Sequence, residues 1–200
     1  MTAITDPAIE SLLNRTSLAG SFMKAPGPSD AELQQILGAA QRAADHDRLR
    51  PWRFLVVRPE HYEEFYDRLA AAATRVQGDP SLYDRNREKY RLTARAPLLV
   101  VAAAKIDPTK KVPPIEQAFA AAGATQLVLN AAHALGYKAF LFSGAGVFDV
   151  PFKESLGLAP ADHLIGFICL GTANGPGKPG PTAEVAVREG LAQTVKQWTP

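Results

Sequence analysis

Three short stretches of this chain put donor groups where a ligand could use them. In Leu13-Asn14-Arg15-Thr16-Ser17, an arginine and a serine stand two positions apart. The planar guanidinium fork and a nearby hydroxyl can grip a phosphate or a pyrimidine edge, though an exposed arginine beside a loop serine fits the same residues. Further on, Arg42 and His46 are spaced i to i+4 and share a face if the helix before them persists that far. The histidine could donate to a ligand oxygen, bond Asp45 or Asp47, or simply sit against the helix dipole. Leu141-Phe142-Ser143-Gly144-Ala145-Gly146 ends a strand, where backbone N–H groups and small residues let a ligand come close. It is no standard nucleotide loop. Asp149 stands where a dinucleotide fingerprint needs its third glycine, Leu141 stands where a nucleophile elbow needs its first, and no Gly-Lys-Ser/Thr follows. Lys178, alone in Gly175-Pro176-Gly177-Lys178-Pro179-Gly180-Pro181, could aim an ammonium at a phosphate or face solvent.

Other chemistries find little support. Cys169 is the one cysteine and lies inside the apolar run Leu164 to Leu170, so it reads as a small core residue. His61, His133 and His163 lack ligand spacing, and no metal site is expected. Arg85, Arg87, Lys89, Arg91 and Arg95 form basic rows at helical spacing, which a solvated face explains; a phosphate or nucleic-acid site is the alternative. With a formal net charge of +2 and no interleaved aromatics, neither a nucleic-acid nor a membrane partner is expected. Met1 to Pro7 lacks the basic start and apolar segment of a secretory signal, which points to the cytoplasm.

The elements that must hold these groups can be read from pattern. At 200 residues and 46% hydrophobic, the chain fits a single domain. Asp6-Pro7 should open a first helix with Ile9, Leu12 and Leu13 on its apolar face. Ser29-Asp30-Ala31-Glu32 is a capping box for a second helix running to about Ala44. Phe54–Val57, Leu98–Ala103, Tyr137–Phe142 and Leu164–Leu170 read as strands, the second buried on both faces because it does not alternate. Pro114 to about Leu135 is the longest helix, closed by Gly136 in a left-handed conformation. It is apolar over most of its circumference, with small residues at Ala118, Ala121, Ala122 and Ala124, and should be the buried spine of the domain or of a dimer. Residues from about 173 onward form a Gly/Pro-rich C-terminal extension, read as an extended arm with Trp198 as a possible anchor. The expected class is α+β, a mixed sheet flanked by helices.

The order and separation of these motifs resemble the nitroreductase family of flavin enzymes. The likeness runs from about Ile9 to Gly171. It is carried by Leu13-Asn14-Arg15-Thr16-Ser17, Arg42-Ala43-Ala44-Asp45-His46 with Pro51-Trp52-Arg53-Phe54, Ala96-Pro97, Val112-Pro113 with Glu116-Gln117, Ser143-Gly144, and Ile165-Gly166-Phe167 before Leu170-Gly171-Thr172. The resemblance implies an intertwined homodimer with an FMN at each of two sites shared between subunits. Arg15, Thr16 and Ser17 would then hold FMN from one subunit, Arg15 mainly through the phosphate, and Arg42 and His46 would reach it from the partner. Leu141, Phe142, Ser143 and Gly144 would lie against the isoalloxazine ring, with a backbone N–H of Ser143 or Gly144 near N5; Lys178 would be a further phosphate ligand. No side chain need act as a catalyst. NADH or NADPH would give hydride in a ping-pong cycle, and a nitroaromatic, quinone or related small acceptor would take it. The chain departs from the family at Thr16 and Gly20, where arginines are usual, and at Leu141-Phe142, where relatives carry Trp-Arg. Phe142 is therefore expected to make the site more apolar. A flavin- or ligand-binding member without turnover is the alternative, and a protein that interacts through its basic helix is a third.

Overall fold

The computed structural model describes residues 6–175 and 183–199. In chain order the elements are α1 (Pro7–Asn14), β1 (Met23–Lys24), α2 (Asp30–Ala40), β2 (Trp52–Val57), α3 (Tyr62–Gln77), α4 (Tyr83–Thr93), β3 (Leu98–Ala104), α5 (Pro114–Ala134), β4 (Lys138–Phe142), α6 (Val150–Ser155), β5 (His163–Ala173) and α7 (Ala183–Thr194). Both expected helix starts are present. Asp6 accepts from the N–H groups of Ala8 and Ile9 at 2.9 and 3.2 Å, and Ser29 and Glu32 exchange the reciprocal bonds of a capping box.

All strand pairs are antiparallel. β3 lies between β2 and β5, β4 takes the other edge of β5, and the short β1 pairs with the end of β5 at Thr172 and Ala173. Every residue of β3 is buried, as its unbroken apolar run predicts. Successive side chains of a strand point to opposite faces. Leu99, Val101 and Ala103 therefore pack with α3, α4 and Phe167, while Leu98, Val100, Ala102 and Ala104 pack with α2 and α5.

Gly136 closes α5 with φ of +86°, as expected. The spine is buried on one side only. Ala121, Ala124, Val128 and Ala132 are covered by the sheet and α2, whereas Ile115 and Phe119 are 56% and 65% exposed and Ala122, Gly123 and Gln126 continue the open face. α1 forms as expected, but Ile9 and Leu12 are exposed and none of its residues is buried.

Three expectations need correction. α2 ends at Ala40, not near Ala44, because the chain turns at Gln41 and enters a short 3-10 turn at His46–Arg48. The C-terminal extension is not an extended arm throughout: beyond the Gly/Pro stretch it forms α7, which lies against α1. Good helix formers regain control once the prolines are passed. Trp198, 85% exposed, is not buried against the described residues as an anchor would be.

Candidate functional site

Past the end of α1, Arg15 becomes extended (ψ 120°), and Ser17 pairs as an isolated parallel bridge with Ala139 of β4. Leu18 N–H donates to the Ala139 carbonyl at 3.3 Å. This pins the two donors at the start of β4, with Arg15 Nη1 donating to Ser17 Oγ at 3.5 Å. No carboxylate pairs with Arg15 among the described residues. Beside them a cavity of about 240 Å³ is lined by Ser17, Leu18, Ala19, Phe22 and Phe140. An arginine fork, a hydroxyl and two aromatic rings suit a ligand with an anionic end and a flat apolar part. His133, at the far end of α5, is held below its usual pKa by burial, then by the charges of Lys138 and Arg15, which places these three side chains near one another at that end.

Arg42 and His46 lie elsewhere. Because α2 stops at Ala40 they do not share a helical face; both sit in the turn leading to β2. That turn is strained. Asp47, Arg48 and Arg50 have φ of 58°, 54° and 47°, a left-handed form costing non-glycine residues roughly 1–2 kcal/mol each. It is clamped by hydrogen bonds: Arg50 N–H to Asp45 Oδ2 at 2.6 Å, Arg53 Nη1 to the Arg50 carbonyl at 2.9 Å, and Trp52 Nε1 to Gln41 Oε1 at 3.1 Å. His46 Nδ1 meets Glu116 Oε2 at 2.8 Å, and this bond, ahead of the charges of Asp47 and Asp45, raises the imidazole pKa. Of the two expected neighbours, Asp47 does approach, its Oδ1 3.9 Å from His46 Nε2, but the hydrogen bond goes to the first turn of α5. Glu116 is a residue whose role in the site the sequence does not reveal, since 70 positions separate it from His46.

These two groups cannot meet within one chain. Arg15 is near His133 and His46 is on Glu116, so they mark opposite ends of α5; the rise of that helix puts the two ends about 26 Å apart.

The third stretch lies on the same strand as the first. From Ala139 to Ser143 the chain runs about 13 Å along β4 and beyond its end, so Arg15 and the Ser143-Gly144 turn can hold the two ends of one elongated ligand. Ser143 is exposed. Gly144 has a role the sequence did not suggest: a Cβ there would meet Tyr90 Oη at 2.5 Å, so its missing side chain makes room for a buried tyrosine. Phe142 does not make the site more apolar. It is 8% exposed and packs inward between Tyr90 and Phe167, with ring centroids 6.4 and 5.2 Å away. The half-buried Phe140 lines the cavity instead.

Thr16 and Leu141 flank these positions, the first exposed and the second half-buried. Lys178 lies outside the described residues. The basic rows of α4 are a solvated face: Arg87 pairs with Glu63 and Asp67, and Arg91 with Glu88. Cys169 is fully buried and its thiol is pushed up to about 12 by that burial. Among the described residues there is no cluster of potential metal ligands and no helix long and apolar enough to cross a membrane.

Known proteins resemble this chain along most of its length. The profile described as "Nitroreductase family" matches residues 12–172. The protein named "Putative NAD(P)H nitroreductase YdjA" in Escherichia coli (strain K12) is 35% identical over 165 residues, which is 82% of this chain and 87% of that protein. A similarly named protein of Haemophilus influenzae is 34% identical over 162 residues, covering 78% and 84%. Among solved structures, a nitroreductase with bound FMN from Bacteroides fragilis superposes with a TM-score of 0.73 at 20% identity, covering 98% of this chain and all of that one. A nitroreductase-like protein from Bacillus cereus superposes at 0.69 and 19% identity, covering 92% and 96%.

Proposed function

Because the chain belongs to the nitroreductase family, we propose that it is an FMN-dependent NAD(P)H oxidoreductase, a single domain with a C-terminal extension, active as a homodimer whose two flavin sites each draw on both subunits. The observation that carries this reading is the separation of the donors: Arg15 and Ser17 at one end of α5, Arg42 and His46 at the other, with neither arginine in an ion pair among the described residues. Two copies related by a two-fold axis across the open face of α5 would bring the Arg15 end of one beside the Arg42 end of the other. Ile115, Phe119 and Gly123 supply an apolar strip for that contact, and Ile9, Leu12, Leu191 and Trp198 supply exposed apolar groups on the two terminal elements.

The donor set fits FMN. The Arg15 fork and the Ser17 hydroxyl suit its phosphate, and the cavity walled by Phe22 and Phe140 suits an aromatic body. FMN is also the cofactor named with the structures from Bacteroides fragilis and Desulfovibrio desulfuricans. When bound, it would supply the redox chemistry, accepting hydride at N5 from NADH or NADPH and passing electrons on to a nitroaromatic, quinone or related acceptor in a ping-pong cycle. The protein's part is placement. The backbone N–H groups of Ser143 and Gly144 would address the reactive edge of the ring, while Arg42 and His46 of the second subunit would hold its polar side, with Thr16 and Leu141 completing the walls. Lys178 would add a cation near the phosphate. Glu116, by accepting from Nδ1, would fix the imidazole, and Nε2, 3.9 Å from Asp47 Oδ1 and so beyond a hydrogen bond to it, would address the ligand.

The test is direct. The protein should carry a flavin spectrum, and NADH or NADPH should bleach it without oxygen; a yellow protein that neither nucleotide bleaches would favour flavin binding without turnover, and a protein that takes up no FMN would overturn both.

A further inference from the structure

A second cavity, of about 440 Å³, lies in the strained turn before β2, walled by Gln41, Arg42, Asp45, Arg48, Arg50 and Trp52. Its charge balance favours an anion. Arg58, Arg68, Arg75, Arg87 and Arg91 each pair with a carboxylate, but among the described residues Arg42, Arg48 and Arg50 do not. The one carboxylate in the wall, Asp45, is engaged by the Arg50 N–H at 2.6 Å. With Arg42 facing the flavin, the guanidinium groups of Arg48 and Arg50 remain to meet an anion, and a phosphate monoester carries about −1.5 to −2 at neutral pH. The left-handed backbone at Arg48 and Arg50 sets the direction of these side chains, and the hydrogen bonds of Asp45, Arg53 and Trp52 hold that backbone in place. A ligand would thus meet arginines carried on a turn that is already fixed, which spares the cost of ordering the loop.

Arg42 is shared between this cavity and the group that faces flavin in the reading above, so the cavity lies within the span of a dinucleotide whose nicotinamide end is on the flavin. The reduced pyridine nucleotides differ by one group, the 2′-phosphate on the adenosine ribose. We propose that Arg48 and Arg50 form the subsite for that phosphate, so that NADPH is preferred over NADH. The proposal rests on the oxidoreductase reading for its ligand, but its test does not need turnover.

Calorimetric titration of the FMN-saturated protein with 2′,5′-ADP and with 5′-AMP compares the two nucleotide ends directly. The expected result is at least about tenfold tighter binding of 2′,5′-ADP, one charge-assisted contact's worth. Arg48→Gln and Arg50→Gln should each cut that ratio several-fold while FMN content and thermal melting stay as in the parent, and Arg85→Gln should leave it unchanged. In turnover the same variants should lower kcat/KM for NADPH and spare that for NADH. Equal binding of the two nucleotides, an unchanged ratio in both variants, or inorganic phosphate binding as tightly as 2′,5′-ADP would overturn the proposal. Loss of FMN in the variants would also overturn it, by assigning these arginines to the flavin. A protein that binds 2′,5′-ADP selectively but that neither nucleotide reduces would sustain the subsite and sink the oxidoreductase reading instead.

Discussion

Gly144→Ala adds one methyl group, and the structure says where it goes. The new Cβ would stand 2.5 Å from Tyr90 Oη and 3.3 Å from Tyr90 Cε1 and Cζ. The backbone there is fully extended (φ −178°), which any residue adopts, so the contact alone decides the outcome. Tyr90 cannot easily give way: it is 2% exposed, its ring packs near Phe142, and its hydroxyl takes a hydrogen bond from the Gly146 backbone. Overpacking of this kind costs about 1–3 kcal/mol, and at this chain length a loss of 2 kcal/mol lowers Tm by roughly 4–8 °C. Tyr90→Phe removes the atom at 2.5 Å and leaves its nearest neighbours at 3.3 Å, tight but tolerable, although it strips Gly146 N–H of its acceptor. The double variant should therefore be more stable than the sum of the single changes implies, with a coupling of about 1 kcal/mol or more. Urea unfolding of the four proteins, followed by circular dichroism, measures that coupling. Wild-type stability in Gly144→Ala, or strict additivity, would refute the argument that Tyr90 occupies the glycine's empty side.

Further expectations follow from single contacts. Asp149 is 5% exposed, accepts from Arg75 Nε and Nη2 at 3.0 and 2.7 Å and caps α6 through Phe152 N–H at 2.8 Å, so Asp149→Ala should cost about 2–3 kcal/mol in urea unfolding at neutral pH. Because the Arg75 pair lowers the Asp149 pKa, that contribution is present above the usual carboxylate range and lost as pH falls through the lowered value; the gap between variant and parent should close in strong acid. For His46 the sign is opposite. Its pKa is raised by Glu116, so the bond contributes fully below the usual histidine value and fades as pH rises through the raised one; Glu116→Gln should move the imidazole titration, read by NMR, to lower pH. Cys169, buried and with its thiol pushed up to about 12, should resist iodoacetamide in the native protein and react after unfolding.

The sequence is legible where the physics is local. The Asp6 and Ser29 caps, the unbroken run that became β3, and the Gly136 stop all needed only neighbours in the chain. The end of α2 did not yield, because Arg42, Ala43 and Ala44 are acceptable helix residues and only tertiary clamps, Trp52 on Gln41 and Arg50 on Asp45, turn the chain away. The same reason hid Glu116 behind His46 and Tyr90 behind Gly144, since both pairings join distant segments. Phe142 shows the limit of substitution logic. Its ring could be placed at the site by analogy with relatives; it shares the face of β4 that carries Phe140, but Tyr90 and Phe167 cover it there and bury it. The three motifs are visible in the sequence, and the resemblance already assigns Arg42 and His46 to a partner; what the folded chain adds is that Arg15 and His46 stand at opposite ends of α5.

That separation can be tested by mixing subunits. Arg15→Ala and the double variant Arg42→Ala/His46→Ala, each alone, should retain little FMN and little NAD(P)H-dependent activity. Unfolded together in equal amounts and refolded, they should form mixed dimers in which one site carries both defects and the other carries neither. About a quarter of all sites would then be intact, and flavin content and activity should recover to roughly that fraction of the parent refolded in the same way. No recovery above the separate variants, in a mixture shown to exchange subunits, would place the whole site within one chain and contradict the account.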